Sequence, residues 1–165
     1  MKQQLEHYLP VETVAVIQPI LEQYSLVLKI KSPRKTRHGD YRKLPNGLSQ
    51  ITINASLNQY AFLLTLIHEI AHHVAYLNFG RRILPHGKEW KHSFINLAQP
   101  FLREPFFDNA LIPILKRHFY NPKASSDTDS VLALALKQFD PPNDKNYIFE
   151  LSIGTLFKIP NGRIF

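Results

Sequence analysis

The chain has 165 residues, of which 44% are hydrophobic, and a formal net charge of +7. This length and composition predict a folded domain with its own core, with or without a small appendage, and exclude a disordered chain. The absence of cysteine excludes disulfides and thiolate ligands, so any metal ion must be bound by His, Asp or Glu. No apolar run reaches the roughly 18 residues of a membrane span, and residues 1–14 do not resemble a signal peptide. We therefore expect a cytoplasmic protein that does not contact membranes.

The N-terminal third of the chain is predicted to contain one helix and two strands. Residues 5–24 have helical periodicity, although Pro10 and Pro19 could split the helix. The segment SLVLKIK, residues 25–31, alternates between apolar and other side chains in the manner of a strand. Residues 51–56 alternate in the same way between apolar and polar side chains. We expect them to form a half-exposed strand at a sheet edge, where an extended substrate could add as a further strand.

Basic residues are concentrated in two groups. Seven of them, with the single acid Asp40, lie within residues 29–43, and four more lie within residues 81–91. Such clustering predicts an anionic partner, nucleic acid first among the candidates, although a solvated basic loop would have the same composition. The basic residues are Lys29, Lys31, Arg34, Lys35, Arg37, Arg42 and Lys43 in the first group and Arg81, Arg82, Lys88 and Lys91 in the second.

The longest predicted helix is apolar nearly all round and should therefore be buried. Asn58 is a favourable N-cap, and the helix should run to about Phe79, because Gly80 is a natural stop. A second helix is expected from about Gly87 to Ala98. The Pro- and Phe-rich region after it, up to residue 124, should wrap the core and include a short helix at 110–118.

The remaining residues, 125–165, are predicted to form a polar linker, a helix and a small β-hairpin module. The helix is assigned to VLALALKQFD on its Ala and Leu content. Hairpin turns are expected at 152–154 and 160–162. Phe165 falls within a predicted strand, so we expect the natural chain to be longer. The elements together predict an α+β fold, with a core domain at 1–124 and an appendage at 125–165.

The sequence HEIAH at residues 68–72 is an HExxH motif within the long helix. Positions i and i+4 lie on one face of a helix, so His68 and His72 can bind the same ion. Imidazole nitrogens bind zinc at about 2.0–2.1 Å in a tetrahedral site. Glu69 can reach a water molecule on the open side of the ion and accept its proton. The pattern is typical of zinc peptidases; the alternative is two histidines that form hydrogen bonds in the core.

A catalytic zinc ion needs a third protein ligand, and three residues are candidates. His86 stands between a proline and Gly87, where a loop can fold its imidazole over the first pair. Glu89 could instead bond back to the start of the next helix, and His92 lies two turns into that helix. We favour His86, with Glu89 as an alternative ligand or as a residue that supports the ligands.

The other histidines have no spacing partner. His73 lies about 100° round the helix from His72, so packing or support of a ligand is expected rather than metal binding. His7, His38 and His118 are predicted to be surface residues. No oxyanion-stabilising group can be assigned from the sequence; Arg81, Arg82 and His73 are the candidates.

The motif segment resembles the SprT-like family, the bacterial and eukaryotic proteins related to Spartan. The family pattern is HExxH, a loop and then His-Gly-x-Glu followed by an aromatic residue. The matching residues are His68, Glu69, His72, His86, Gly87, Glu89 and Trp90, with similarity also in FGR at 79–81, RKTRHGDYR at 34–42 and ITINASLN at 51–58. The resemblance covers residues 34–94.

The resemblance implies a zincin-like metalloprotease domain, with its HExxH helix packed on a small sheet. It implies Zn²⁺ bound by His68, His72 and His86, with Glu69 as the base, and a protein substrate associated with or crosslinked to DNA. The resemblance further implies single-stranded or damaged DNA as a partner and a role in DNA repair. In a bacterium it implies association with the nucleoid. The alternative is a non-catalytic, zinc-stabilised module that binds DNA or the transcription machinery.

The chain departs from many family members, which carry a C-terminal four-cysteine zinc ribbon, because it has no cysteine. DNA contacts must therefore come from the tail at 147–165 or from the basic face of the catalytic domain. The basic residues expected on that face are Arg34, Lys35, Arg37, Arg42, Lys43, Arg81, Arg82 and Lys88.

Overall fold

The computed structural model describes residues 5–34, 37–142, 146–159 and 162–165. In these residues a three-stranded mixed sheet packs with five α-helices, which is the predicted α+β class. The strands are β1 (Leu26–Lys31), β2 (Gly39–Lys43) and β3 (Ser49–Asn54), and the helices are α1 (Val11–Gln23), α2 (Gln59–Phe79), α3 (Lys88–Ala98), α4 (Ile112–Tyr120) and α5 (Ser130–Lys137). None of the helices in the described ranges is long and apolar enough to cross a membrane.

The central strand of the sheet is β3, between β1 on one side and β2 on the other. It is parallel to β1 and antiparallel to β2, and all six of its residues are buried. The prediction of a half-exposed edge strand at 51–56 is therefore wrong. Polar alternation misled it, because the side chain of Asn54 is covered and bonds to the carbonyl oxygens of Arg34 (2.8 Å) and Arg37 (3.3 Å).

The exposed edge beside the long helix belongs to β2, which lies within the first group of basic residues. Tyr41 stands opposite Ile51 in the antiparallel register. No other strand among the described residues pairs with the free side of β2. Apart from the Tyr41 N–H, which bonds to the Glu69 carboxyl, its backbone N–H and C=O groups on that side are available to an extended chain.

The long helix α2 has the predicted limits. The Asn58 side chain accepts hydrogen bonds from the N–H groups of Tyr60 (3.1 Å) and Ala61 (2.9 Å), and Gly80 ends the helix at φ +80°. Twelve of its residues are buried, and the helix contacts β2, β3 and α3. A helix covered on this many sides holds its side chains in fixed positions, which suits a catalytic motif.

The C-terminal region agrees with the prediction for its helix but not for its first hairpin. α5 forms, with Asp129 as its N-cap. The described part of 146–165 contains a 3₁₀ turn at Ile148–Glu150 and one isolated antiparallel bridge, Lys158 to Ile164. The turn predicted at 160–162 lies partly outside the described residues. Apolar tail side chains such as Ile153 are exposed, because no second layer covers them.

Candidate active site

Three imidazoles converge at the middle of α2. The Nε2 atoms of His68, His72 and His86 lie 3.0–3.1 Å from one another. The first two come from successive turns of α2, and His86 comes from the loop before α3, with its backbone in the left-handed region at φ +57°. Among the described residues this is the group of His, Asp and Glu side chains able to hold a metal ion together.

This geometry fits a zinc ion. Zn–N bonds of about 2.0–2.1 Å in a tetrahedral site place the nitrogens about 3.3 Å apart, close to the separations observed. Two facing ring nitrogens form a hydrogen bond only if one of them carries a proton. Three ring nitrogens that face one another therefore cannot all have a hydrogen-bond partner, whereas a cation can accept all three lone pairs. Imidazoles bind metals in the neutral form, and that form is favoured here.

The neutral form is favoured because the rings are removed from water. Burial, with the neighbouring imidazoles, lowers the pKa of His68 to about 2 and that of His72 to about 4. Burial also lowers the pKa of His86. The charges of His118 and His38 also contribute to the lowered pKa of His68.

Glu69 lies between α2 and the start of β2 and is 6% exposed. Burial and the charge of Asp40 raise its pKa to about 8, while the backbone N–H of Tyr41 and the charge of Arg34 act in the opposite direction. Gly39 passes so close that a Cβ atom there would lie 2.7 Å from Glu69 Oε1. The carboxyl of Glu69 is thus held in place by the backbone of the strand.

Trp90 packs against all three imidazoles. Its ring centroid lies 4.6 Å from that of His68, 5.4 Å from that of His72 and 4.7 Å from that of His86. It is 1% exposed and belongs to the core. Its contact with every ligand ring, which fixes their orientation, was not expected from the sequence.

His73 points away from the three imidazoles. It is buried, and its Nδ1 lies 3.1 Å from the hydroxyl of Tyr41, whose ring is nearly parallel to that of His72. Burial and Lys43 lower the pKa of His73. His73 therefore contacts the three imidazoles of His68, His72 and His86, here called the metal group, only through Tyr41. The sequence analysis missed Tyr41, because its position has no regular spacing from the HExxH motif.

The alternative third ligands lie outside the cluster. Glu89 sits in the first turn of α3, 4.0 Å from the ammonium of Lys88. His92 lies on the exposed side of the same helix and pairs with Asn96 at 3.0 Å. Neither side chain belongs to the group that could hold a metal ion.

The three imidazoles and Glu69 open into a cavity of about 460 Å³ with two walls. The histidine wall contains Leu64, Thr65, His68, Glu69, His72, His86 and Phe94. The second wall contains residues 37–41, His118 and residues 123–127. The cavity can therefore hold a ligand that contacts the metal group and the second wall together.

Two histidines predicted to be surface residues belong to the second wall. His118 is 4% exposed, and its Nδ1 lies 2.9 Å from Asp129 Oδ2. His38 pairs with Asp127 at 3.5 Å near the same wall. The prediction was wrong for His118, because its ring meets Asp129 only in the folded chain, whereas the side chain of His38 is 37% exposed. His7 is exposed, as predicted.

The predicted nucleic-acid contacts are distributed over several elements. Arg37, Arg42, Lys43, Arg81, Arg82 and Lys88 are exposed, and Lys35 lies outside the described residues. Arg34 differs, because its Nε and Nη2 atoms are buried. Lys43 and Arg81 come together at Tyr76: the ammonium lies 5.9 Å from the ring centroid, and Arg81 Nε donates to the hydroxyl at 3.1 Å. The end of β2 and the end of α2 thus form one basic surface.

Comparison with known proteins assigns the family. No curated protein and no solved structure matches the chain. The model of the SprT-like family matches residues 20–105, which include the sheet, α2, the three imidazoles and α3. This match spans more than half of the chain, so the protein belongs to the SprT-like family, whose domain is of the zincin-like metallopeptidase type and typically zinc-dependent.

Proposed function

We propose that the protein is a zinc-dependent endopeptidase that cleaves proteins associated with or crosslinked to DNA. The observation that carries the proposal is the position of Glu69. Its carboxyl lines the same cavity as the three imidazoles, within one residue of a ligand. A site that served only to stabilise the fold would have no need of a buried carboxyl at this position.

The chemistry is amide hydrolysis. A zinc ion bound by His68, His72 and His86 would polarise the substrate carbonyl and lower the pKa of a water molecule. Glu69 accepts a proton from the attacking water as its oxygen bonds to the carbonyl carbon. The same carboxyl then donates that proton to the departing amine nitrogen when the C–N bond breaks, which leaves a carboxylic acid and an amine.

The free edge of β2 is the proposed binding surface for the substrate backbone. β2 residues from Gly39 to Tyr41 line the cavity, and the strand pairs with β3 on its other side only. An extended polypeptide that adds to this edge would place a carbonyl group next to the metal group. This surface replaces the strand at 51–56, which lies at the centre of the sheet.

The DNA-related part of the proposal rests on charge. The basic surface formed by Lys43 and Arg81 around Tyr76 offers cations for phosphates and an aromatic ring for a base. The net charge of +7 favours association with nucleic acid over most of the surface. DNA bound there would raise the local concentration of any protein attached to it.

The test is cleavage of a DNA-binding protein by zinc-loaded enzyme, with and without single-stranded DNA. Wild type is compared with Glu69→Gln, and Glu22→Gln is the matched control because Glu22 lies on the exposed face of α1. We expect Glu69→Gln to retain zinc and to lose at least about 100-fold in cleavage rate. Glu22→Gln should behave as wild type.

Each result separates the candidate functions. Cleavage that requires Glu69 and is stimulated by DNA would support the full proposal. Cleavage that requires Glu69 but ignores DNA would leave a metallopeptidase with another class of substrate. DNA binding without cleavage, unchanged in Glu69→Gln, would overturn the proposal in favour of a zinc-stabilised binding module.

A further inference from the structure

The second wall of the cavity carries a histidine that the proposed reaction has not yet used. His118, on α4, is 4% exposed, and Glu69 is 6% exposed. Both residues line the same cavity, so a ligand inside it can contact both. The three imidazoles line this cavity as well, so His118 shares it with the metal group.

The ring of His118 is held by Asp129. Its Nδ1 lies 2.9 Å from Asp129 Oδ2, while Asp129 Oδ1 accepts from the N–H of Leu132 at 3.3 Å and lies 3.7 Å from Arg117 Nη2. The carboxylate is thus fixed by α5 and by Arg117. Because Nδ1 is occupied, Nε2 is the nitrogen that remains for a ligand, and no described residue forms a hydrogen bond with it.

Two other candidates for a hydrogen bond to the substrate, Tyr41 and Arg81, already form hydrogen bonds within the protein. The hydroxyl of Tyr41 is paired with His73. Arg81 donates to Tyr76. Neither Arg81, Arg82 nor His73 lines the cavity, so the three residues considered for the oxyanion from the sequence are poorly placed for it.

We propose that His118, oriented by Asp129, is a further catalytic residue that donates a hydrogen bond to the substrate carbonyl oxygen as negative charge develops on it. The inference rests on the proposed peptidase function. In the imidazolium form both ring nitrogens are donors, so Nδ1–H bonds to the Asp129 carboxylate and Nε2–H can donate to the oxyanion. No covalent bond to His118 forms or breaks; Asp129 is a positioning residue.

The experiment compares His118→Gln and Asp129→Asn with His92→Gln as the matched control, since His92 lies outside the cavity. Loss of one oxyanion donor typically costs about 100-fold or more in kcat. We expect that loss for His118→Gln and about 10-fold for Asp129→Asn, with KM within about threefold of wild type. Zinc content should be unchanged in all three variants.

Asp129→Asn also separates catalysis from folding. Asparagine is as good an N-cap as aspartate, so α5 keeps its cap while the negative charge beside Nδ1 is removed. A purely structural role predicts that Asp129→Asn keeps full kcat and that Asp129→Ala, which loses the cap, lowers both Tm and activity. A catalytic role predicts that Asp129→Asn lowers kcat at a temperature where the variant is still fully folded, with a smaller loss of Tm than Asp129→Ala shows.

A second readout does not depend on turnover. A phosphinic peptide mimics the tetrahedral oxyanion, so its affinity should fall about 10- to 100-fold in His118→Gln. The affinity of an ordinary peptide for Glu69→Gln should stay within about threefold when His118→Gln is added. Equal effects on both ligands, or none, would overturn the inference.

The failure of this inference is distinguishable from failure of the proposed function. If Glu69→Gln abolishes cleavage while His118→Gln cleaves as wild type does, the peptidase stands and the role of His118 is refuted. If wild-type protein cleaves nothing, the proposed function is refuted. The phosphinic peptide would then still decide whether His118 binds a tetrahedral anion in this cavity.

Discussion

The histidine wall of the cavity comes from one continuous stretch, residues 64–94, whereas the second wall comes from residues 37–41 and from residues 118–127. In the histidine wall a single helix and the loop after it position the imidazoles. In the second wall the strand β2, the helix α4 and the segment between α4 and α5 each contribute residues. The histidine wall is therefore built by the local spacing of residues in one helix and the loop after it, and the second wall by tertiary contacts between separate elements.

This difference explains which kinds of change each wall tolerates. The imidazoles of the histidine wall are spaced by helix geometry, so a substitution there removes a ligand but leaves the neighbouring backbone intact. The second wall depends on close approach between elements, as where Gly39 meets Glu69. A change of one methyl group there can move a catalytic side chain without touching a ligand.

The largest effect is expected when the histidine wall loses a ligand. His72→Ala removes one of the three convergent Nε2 atoms. Removing a residue that only supports a metal ligand typically weakens metal binding about 10- to 100-fold. Because His72→Ala removes a ligand itself, we expect zinc binding to weaken more than about 100-fold and cleavage to be unmeasurable. Competition with a chelator measures the affinity. His92→Ala is the control, and equal zinc affinity in both variants would exclude the three-imidazole site.

A smaller but still large effect is expected when Gly39 in the second wall becomes alanine. The added Cβ would lie 2.7 Å from both Glu69 Oε1 and Thr65 Cγ2, so the carboxyl or the strand must shift. Misplacement by about 1 Å can cost 100-fold in rate. We expect Gly39→Ala to retain zinc and to lose about 100-fold in kcat/KM, measured by peptide cleavage alongside metal analysis.

Gly47→Ala is the matched control for Gly39→Ala. Gly47 has φ +84° and no atom within 4 Å of an added Cβ. Alanine there is strained by about 1–2 kcal/mol, which lowers stability, but it lies outside the cavity. Full kcat/KM in Gly39→Ala, or an equal loss in both variants, would contradict the role assigned to close packing at Glu69.

Much of the fold could be predicted because its signals are local. The capping of α2 by Asn58, its stop at Gly80 and the alternation in β1 depend on neighbouring residues alone. The position of β3 at the centre of the sheet could not be predicted, since a polar residue such as Asn54 on a covered face looks like an exposed one until its partners are known. The strand β2 was hidden by its charged residues, which lie at an edge where charge is tolerated.

The site divides in the same way. The i, i+4 spacing of His68 and His72, with His86 after a short loop, was sufficient to expect the metal group before the fold was known. The pairing of His118 with Asp129 was not, because the two residues are separated by a turn and the start of another helix. The sequence around a histidine without a spacing partner does not indicate whether a carboxylate will bond to its ring in the folded chain.

The smallest effect concerns the stability of the second wall at low pH. Burial raises the pKa of Asp129, but hydrogen bonds from His118 and the Leu132 N–H, with the charges of His118 and Arg117, outweigh it and hold the pKa below its ordinary 3.8. A carboxyl whose pKa is lower in the folded state stabilises the fold above its unfolded pKa, and this contribution is lost as the pH falls through the folded value.

We therefore expect wild type to exceed Asp129→Asn by about 1 kcal/mol in unfolding free energy at pH 6. The gap should narrow once the pH falls below the ordinary value of 3.8, because a protonated Asp129 is uncharged, as asparagine is. Urea denaturation of the metal-free proteins at several pH values measures this difference in unfolding free energy without a contribution from zinc release. Asp127→Asn, at an exposed position, should change stability by less than about 0.5 kcal/mol. A gap that stays constant to the lowest pH would mean that the charge of Asp129 does not hold the second wall together.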